Sequence, residues 1–213
     1  MSSGGFRTSS VLTSLPTGLP VWRDARVVKA TPDKAQVSVT VRALREGKVV
    51  YLAVPKLAGT KPFYLLDPRR LPVPPEEAAV PKIAARVAPA VEVDALDPVD
   101  LAVCGSVAVS RGGVRVGKGA GYADLELALL GEAGLIGADT VIATTVHDLQ
   151  VIDGDLPETE HDFGIDLIVT PTRTITCDAP RRRPGLLWEH LTTDKIAAIP
   201  ALEARRVRRG WPR

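Results

Sequence analysis

The sequence predicts an α/β fold in which a mostly parallel sheet is flanked by helices. Apolar runs of strand length alternate with segments of helical periodicity along the chain. One run, Asp100–Val109, is almost continuously apolar, as are strands that are buried on both faces of a parallel sheet. The chain has 213 residues, of which 45% are hydrophobic and 24% charged, so it can bury one sizeable core.

The first half of the chain contains strands and one clear helix signal. Thr31 followed by Pro32 is typical of a helix start, because threonine caps the first amides and proline is tolerated in the first turn. Apolar side chains then recur at helical spacing until Gly47 ends the helix. Residues 68–98 hold seven of the eighteen prolines, so we expect a long connection with at most one short helix, at Glu76–Val87. The strands expected here are Ala25–Ala30, Val49–Val54 and Phe63–Leu66.

The second half alternates more regularly. A glycine-rich loop at 117–121 follows the strand at Asp100–Val109 and precedes a helix at Ala123–Gly134. The last helix is expected at Thr193–Arg209, where Pro200 can interrupt it. The strands expected here are Thr140–Val146 and Asp166–Thr170, with Thr174–Cys177 as a continuation of the latter.

Composition and charge exclude several classes of protein. Residues 1–20 are read as a flexible segment, 21–203 as the α/β domain and 204–213 as a basic tail. No segment approaches the ~20 apolar residues of a membrane span, and two cysteines cannot form a disulfide framework or a Cys-rich zinc site. We therefore expect a cytoplasmic protein without a membrane partner. The net charge is only +2, and the arginines at 181–183 and in the tail lack interleaved aromatics, which argues against nucleic acid.

The glycine-rich loop is the most informative stretch. Five glycines lie at positions 112–121, together with Arg111, Arg115 and Lys118. No acidic residue lies between Arg111 and Asp124. Glycines let backbone amides approach a phosphate closely, and the N-terminus of the following helix adds partial positive charge. These features favour a polyphosphate-binding loop, although a tight strand-to-helix turn with surface cations would look the same. The loop is not a P-loop, because no Gly-Lys-Ser/Thr ends it.

The same residues carry a family resemblance. The pattern Gly-x-Arg-Val-Gly-x-Gly-x-Gly-Tyr-x-Asp at 113–124 resembles the signature of the 5-formyltetrahydrofolate cyclo-ligase (methenyltetrahydrofolate synthetase) family, and the run 156–171, with His161 and Asp162, resembles its second motif. The resemblance covers roughly residues 21–200. It implies a three-layer α/β fold like that of ribose-5-phosphate isomerases and CoA transferases. It also implies a small-molecule substrate, since the family uses Mg-ATP to convert 5-formyltetrahydrofolate into 5,10-methenyltetrahydrofolate.

Carried over to this chain, the resemblance implies ATP and Mg²⁺ as cofactors. It assigns catalytic roles to Arg115 and Tyr122, and it assigns Mg²⁺ to Asp124 and Asp162. Phosphoryl transfer is mostly positioning and charge neutralisation, which cations, backbone amides and a hard-cation site provide. The nucleotide-binding residues that it implies are Arg115, Val116, Gly117, Lys118, Gly119, Ala120, Gly121, Tyr122 and Ala123.

Some positions depart from the family pattern. Ala123 and Leu125 stand where the family usually has a second tyrosine and an arginine, and residues 1–20 offer only Arg7 where the family has a helix with two cations. In these departures the chain is more similar to a side branch, the methenyltetrahydrofolate synthase domain-containing proteins, which have been linked to thiamin metabolism. Two hypotheses stay open: a cyclo-ligase that acts on 5-formyltetrahydrofolate or another heterocycle, and a non-catalytic or regulatory paralog that keeps the phosphate-binding loop.

The acidic run between His147 and His161 has three interpretations. Its carboxylates and the two histidines could bind a transition metal, although no tight ligand spacing occurs. It could instead contribute to a Mg-ATP site through Asp162, or form a solvated acidic loop.

Overall fold

The computed structural model describes residues 18–177 and 183–210, so most of the segment 1–20, the arginines at 181 and 182 and the last three residues lie outside the described part. Within the described part the chain forms seven α-helices and eleven strands. The helices are α1 (Pro20–Asp24), α2 (Val37–Arg45), α3 (Pro75–Ala78), α4 (Pro81–Val87), α5 (Tyr122–Glu132), α6 (Thr193–Ala198) and α7 (Pro200–Arg208). The strands are β1 (Val27–Ala30), β2 (Val49–Ala53), β3 (Phe63–Leu66), β4 (Ala90–Val91), β5 (Leu101–Gly105), β6 (Ala108–Ser110), β7 (Arg115–Val116), β8 (Val141–Thr145), β9 (Val151–Ile152), β10 (Leu167–Val169) and β11 (Thr174–Thr176).

Eight strands form one mixed sheet in the order β11-β10-β8-β5-β1-β2-β3-β4. The five strands from β10 to β2 in this order run parallel, whereas β11, β3 and β4 pair antiparallel with their neighbours at the two edges. A second, small sheet contains β7, β6 and β9. The predicted α/β fold with a mostly parallel sheet is therefore confirmed.

The large sheet separates two hydrophobic cores. Successive side chains of a strand point to opposite faces, so Leu101 and Val103 of β5 enter one core while Ala102 and Cys104 enter the other. Side chains of α1 to α4 complete the first core, and those of α5 and α7 complete the second. The result is the three-layer arrangement that the sequence implies. Among the described residues, no helix combines the length and the apolar character that crossing a membrane requires.

The first long helix begins later than Thr31 and Pro32 suggest. The Thr31 N–H donates to the Val103 carbonyl at 3.1 Å, so this residue continues the ladder between β1 and β5. A 3₁₀ turn at Lys34–Gln36 follows before α2 starts, and Gly47 lies just beyond its end, as expected. The expected helix start was wrong because strand pairing overrides the local signal.

The proline-rich segment 68–98 is more ordered than the sequence suggests. It contains α3, α4 and the edge strand β4 rather than a single short helix. Pro75 and Pro81 each lie in the first turn of a helix, where a missing N–H costs no hydrogen bond. The expectation was wrong because these two prolines start helices instead of interrupting them.

The apolar run Asp100–Val109 is not a single strand. It leaves the large sheet at the end of β5 and enters the small sheet at β6. The Gln150 side-chain amide donates to the carbonyls of Ser106 at 2.8 Å and Val107 at 3.1 Å, which fixes the crossing between the sheets. Because β7 pairs with β6, the crossing also sets the position of the glycine-rich loop that follows β7.

The C-terminal elements differ from the prediction in two ways. The segment 174–177 does not continue β10 but folds back as the antiparallel strand β11. The last helix is interrupted at Pro200, as the sequence predicts, but the proposed boundary at residue 203 falls within α7. The described arginines of the segment interpreted as a basic tail are paired with acidic residues: Arg205 with Asp94, Arg206 with Glu203, and Arg208 with Glu92 and Asp94.

Candidate functional site

The glycine-rich loop lies at the carboxyl end of the parallel sheet, beside the crevice between β1 and β5. From β1 the sheet continues to β2 on one side, and from β5 it continues to β8 on the other, so the direction of the crossovers reverses between these two strands. Ligands of open α/β sheets bind outside the carboxyl ends of the strands at such a reversal. The topology therefore puts the loop where a ligand site is expected.

The N-terminus of α5 is open to an anion. Gly121 precedes the helix with φ +69°, a left-handed conformation that side chains with a Cβ rarely adopt, and no side chain caps the first amides of α5. Gly119 also has positive φ, and residues 118–121 are exposed. Uncapped amides at the start of an eleven-residue helix, reached through an exposed glycine loop, form an arrangement that suits phosphate.

Arg115 lies beneath the loop rather than on its surface. Its side chain is 3% exposed, and Nη2 donates to both carboxylate oxygens of Asp124 at 3.0 Å. The guanidinium also stacks over the Phe163 ring at 4.4 Å from the centroid. A Cβ on Gly117 would lie 3.0 Å from Arg115 Nη1, so the guanidinium would have to move by a few tenths of an ångström to make room for it. The Arg115 guanidinium therefore lies on the buried side of the loop, next to the backbone of Gly117.

Asp124 and Asp162 line the same cavity. Asp162 Oδ2 accepts hydrogen bonds from the backbone N–H of Thr159 at 2.7 Å and from its hydroxyl at 2.9 Å. In the described part of the chain, no group of three or more His, Cys, Asp or Glu side chains is arranged to hold a metal ion. Two carboxylates fit Mg²⁺ when phosphate oxygens and water supply its remaining ligands.

The other residues implied by the resemblance surround the loop. Val116 pairs with Ala108 in the small sheet, and Ala123 packs partly against the core. Lys118 Nζ is paired with Asp33 Oδ1 at 2.6 Å, so it links the loop to the end of β1. The loop residues are thus brought together, but Lys118 and Arg115 each already have a carboxylate partner.

Tyr122 and Ala120 have a neighbour that sequence reasoning missed. Lys195 Nζ lies 4.9 Å from the centroid of the Tyr122 ring and donates to the Ala120 carbonyl at 3.3 Å. No local signal in the sequence could have identified Lys195, because it is 75 positions from Ala120 and lies near the loop only in the folded chain.

A cavity of about 410 Å³ lies next to the start of α5. One wall is the face of α5, and the other is the C-terminal segment 185–195. The lining combines apolar side chains with a few polar groups, as ligand pockets commonly do. The lining residues are Gly121, Asp124, Leu125, Ala128, Thr159, His161, Asp162, Gly185, Leu186, Leu187, His190, Leu191, Thr192 and Lys195.

A buried ion pair under the loop was also missed. Lys29 Nζ of β1 lies 2.5 Å from Glu126 Oε2 of α5, and both residues are buried. Burial raises the pKa of the Glu126 carboxyl, and the Lys29 ammonium opposes this rise. A signal existed in the sequence, because Lys29 interrupts an apolar strand and Glu126 an apolar helix face.

The acidic run does not form one site. Asp148 accepts hydrogen bonds from the hydroxyls of Thr170 and Thr172, and Asp153 is paired with Arg111. His147 caps a 3₁₀ turn. The described residues of this run that line the cavity are His161 and Asp162.

The fold and the site define an α/β protein with a glycine-rich loop at the start of a helix and a cavity beside it. The family model of the 5-formyltetrahydrofolate cyclo-ligase family matches residues 1–171. The chain therefore belongs to the 5-formyltetrahydrofolate cyclo-ligase family, which confirms the resemblance seen in its sequence.

Known relatives agree with this assignment. The methenyltetrahydrofolate synthase domain-containing protein of Mus musculus is 35% identical over an alignment of 201 residues that covers 89% of this chain and 52% of that protein. The Homo sapiens protein of the same name is 35% identical over 201 residues, with 89% and 50% covered. The chain thus spans about half the length of these curated relatives.

A solved structure supports the fold. The NMR structure of Aquifex aeolicus 5,10-methenyltetrahydrofolate synthetase covers 85% of this chain and 86% of its own, with a TM-score of 0.53 and 23% sequence identity.

Proposed function

We propose that this protein binds ATP at the glycine-rich loop and catalyses an ATP- and Mg-dependent ring closure. The substrate would be 5-formyltetrahydrofolate, giving 5,10-methenyltetrahydrofolate, or another heterocycle. The observation that carries the proposal is the uncapped start of α5, which is entered through Gly121 and flanked by a cavity with two carboxylates.

The loop has what a phosphate chain needs. Free amides at the start of α5 would donate to phosphate oxygens, and the partial positive charge of the helix end would favour them. Arg115, buried below the loop and paired with Asp124, would hold that carboxylate in place beside the phosphate chain. A phosphate held here would not have to displace any capping side chain.

The two carboxylates fit a magnesium ion that is bound mainly by the nucleotide. A carboxylate beside a triphosphate is repulsive unless a cation lies between them, and Mg²⁺ prefers one or two carboxylates with phosphate oxygens and water. Asp124 would be one ligand and Asp162 the other. Arg115 would hold the Asp124 carboxylate in position through its two hydrogen bonds.

The proposed reaction requires the protein mainly to position the reactants and neutralise charge. In the proposed reaction ATP phosphorylates the formyl oxygen, N10 attacks the formyl carbon with loss of its proton, and phosphate leaves as the ring closes. The chain would align the two reactants and neutralise charge on the transferring group. Tyr122, which is half-buried beside the loop, would line the junction between nucleotide and heterocycle.

One observation favours a second candidate, a non-catalytic or regulatory paralog with a link to thiamin metabolism. Leu125 lines the cavity where the family usually has an arginine, so a cation that could act on the reacting groups is replaced by an apolar side chain. Such a paralog would still bind ATP but would not turn it over.

An ADP-release assay distinguishes the two candidates. The protein is incubated with Mg-ATP and 5-formyltetrahydrofolate, and methenyltetrahydrofolate is followed by absorbance; thiamin-related heterocycles replace the folate in parallel reactions. We expect stoichiometric ADP and methenyltetrahydrofolate. ATP binding without ADP release with any of these substrates would establish the paralog instead, and absence of ATP binding would refute both.

A further inference from the structure

We propose that the C-terminal segment 185–195 forms half of the ligand site, with Lys195 as a cation for the phosphate chain and the cavity as the pocket for the heterocyclic base of the same nucleotide. The inference rests on the proposed function, since it names a further part of the same site. The match to the family model ends at residue 171, before this segment begins.

The segment is fixed against α5 by buried contacts. Leu186 and Trp188 belong to the same core as α5, and the Trp188 indole N–H donates to Glu132 Oε2 at 3.2 Å. Arg209 Nε lies 3.0 Å from Glu132 Oε1, which ties the end of α7 to the same helix. The cavity wall is therefore part of the folded core and not a loose strap.

Lys195 differs from the other cations near the loop in having no carboxylate partner among the described residues. Lys118 is paired with Asp33, and Arg115 is paired with Asp124. The Lys195 ammonium contacts one carbonyl, that of Ala120, and can donate two more hydrogen bonds. Within residues 18–177 and 183–210, no carboxylate pairs with the Lys195 ammonium, which lies at the loop through Ala120 and Tyr122.

The cavity itself suits a planar ring. Its volume, about 410 Å³, lies in the range of small-molecule pockets. Its apolar lining comes from Leu125 and Ala128 of α5 and from Leu187 and Leu191 of the C-terminal segment. A ring between these apolar walls would have its phosphate chain at Gly121 and Lys195, so a nucleoside triphosphate is the class of ligand that fits both ends.

Calorimetric titration with two probes separates the two halves of this proposal. ATP has a base and a phosphate chain, whereas inorganic tripolyphosphate has only the chain; both are titrated without metal. We expect Lys195→Gln to weaken both probes about tenfold, because it removes a charge-assisted contact. We expect Leu191→Trp, and independently Leu187→Trp, to weaken ATP but not tripolyphosphate, because an indole fills the space of the base.

Controls make each failure distinct. Lys82→Gln removes an exposed lysine from α4, on the other face of the sheet, and should leave both titrations unchanged. Circular dichroism and urea unfolding verify that each variant is folded. If Gly121→Val loses tripolyphosphate binding while Lys195→Gln and both tryptophan variants bind like wild type, the loop is the site and this inference is overturned. If wild type binds neither probe, with or without Mg²⁺, the proposed function fails with it.

Discussion

Lys29 and Glu126 connect the central strand of the sheet to the helix that follows the glycine-rich loop. Their Nζ–Oε2 distance is 2.5 Å, and their side chains are 0% and 5% exposed. Glu126 lies two positions after Asp124 in the first turns of α5. The pair therefore holds the start of α5, and with it the loop, at a fixed distance above β1.

We expect Glu126→Gln to lower the free energy of unfolding by about 3–5 kcal/mol, because it leaves the Lys29 ammonium buried without a counter-charge. Urea unfolding measures the loss. The double variant Lys29→Met/Glu126→Leu should lose much less unfolding free energy than the single variants Lys29→Met and Glu126→Leu lose together, since it leaves no buried charge. Additive losses would contradict a direct pair.

We expect Asp124→Asn to weaken Mg-ATP binding and to leave metal-free ATP binding unchanged or stronger. The substitution removes a magnesium ligand, and it also removes the carboxylate that now occupies Arg115. Calorimetric titration with and without Mg²⁺ measures both. Asp155→Asn is the matched control, because Asp155 is exposed and lies outside the cavity lining. Identical titrations of wild type and Asp124→Asn would exclude Asp124 from the site.

Gly121 and Gly134 offer a matched comparison at the two ends of α5. Both have positive φ, +69° and +75°, and a Cβ at either would meet no atom within 4 Å. Valine at either position should therefore cost a similar strain energy, about 1–2 kcal/mol. Only Gly121→Val should abolish nucleotide binding, because only Gly121 adjoins the uncapped amides. Equal ATP affinities of the two variants would show that the loop is a structural turn that does not bind the nucleotide.

The attachment of α7 should depend on pH. The hydrogen bond from Arg205 lowers the pKa of Asp94. A carboxylate with a lowered pKa stabilises the fold above its unfolded pKa of ~3.9, and the contribution is lost as the pH falls through the folded pKa. Because Asp94 is 43% exposed, we expect Arg205→Gln to cost no more than about 1 kcal/mol at pH 7.

Urea unfolding of wild type and Arg205→Gln across pH 2–7 measures this dependence. The difference between the two proteins should shrink as the pH falls below ~4. Arg86→Gln, a change at an exposed arginine of α4, is the control. A difference that stays constant down to pH 2 would contradict a role for the Asp94 carboxylate.

The elements that local patterns determine could be predicted from the sequence. β3 begins and ends where its apolar run does, and α5 begins directly after Gly121. The break between β5 and β6 could not be predicted, because the run stays apolar and the change of sheet depends on Gln150, which is distant in sequence. The helix start after Thr31 failed for the same reason, since pairing with β5 extends the strand.

The candidate site divides in the same way. The glycine-rich loop and its cations are contiguous in the sequence, so their chemistry could be deduced from the residues alone. Lys195 and the Lys29–Glu126 pair come together only when β1, α5 and α6 are packed. The carboxylate partner of Arg115 could not be predicted from the sequence either, because Asp124 could equally have been a helix cap. The hydrogen bond from Arg115 to Asp124 forms only in the folded chain.

The position of β1 in the sheet sets the order in which the protein assembles during translation. Val28 pairs with Val50 on one side but with Leu101 on the other. At ~5–20 residues per second, Leu101 is synthesised roughly 4–15 seconds after Val28, so one edge of β1 stays unpaired for that time. The helices of one face, α1 to α4, are complete before β5 emerges, whereas α5 to α7 follow it. Lys29 therefore stays without Glu126 in the nascent chain, and the face that carries the glycine-rich loop closes last.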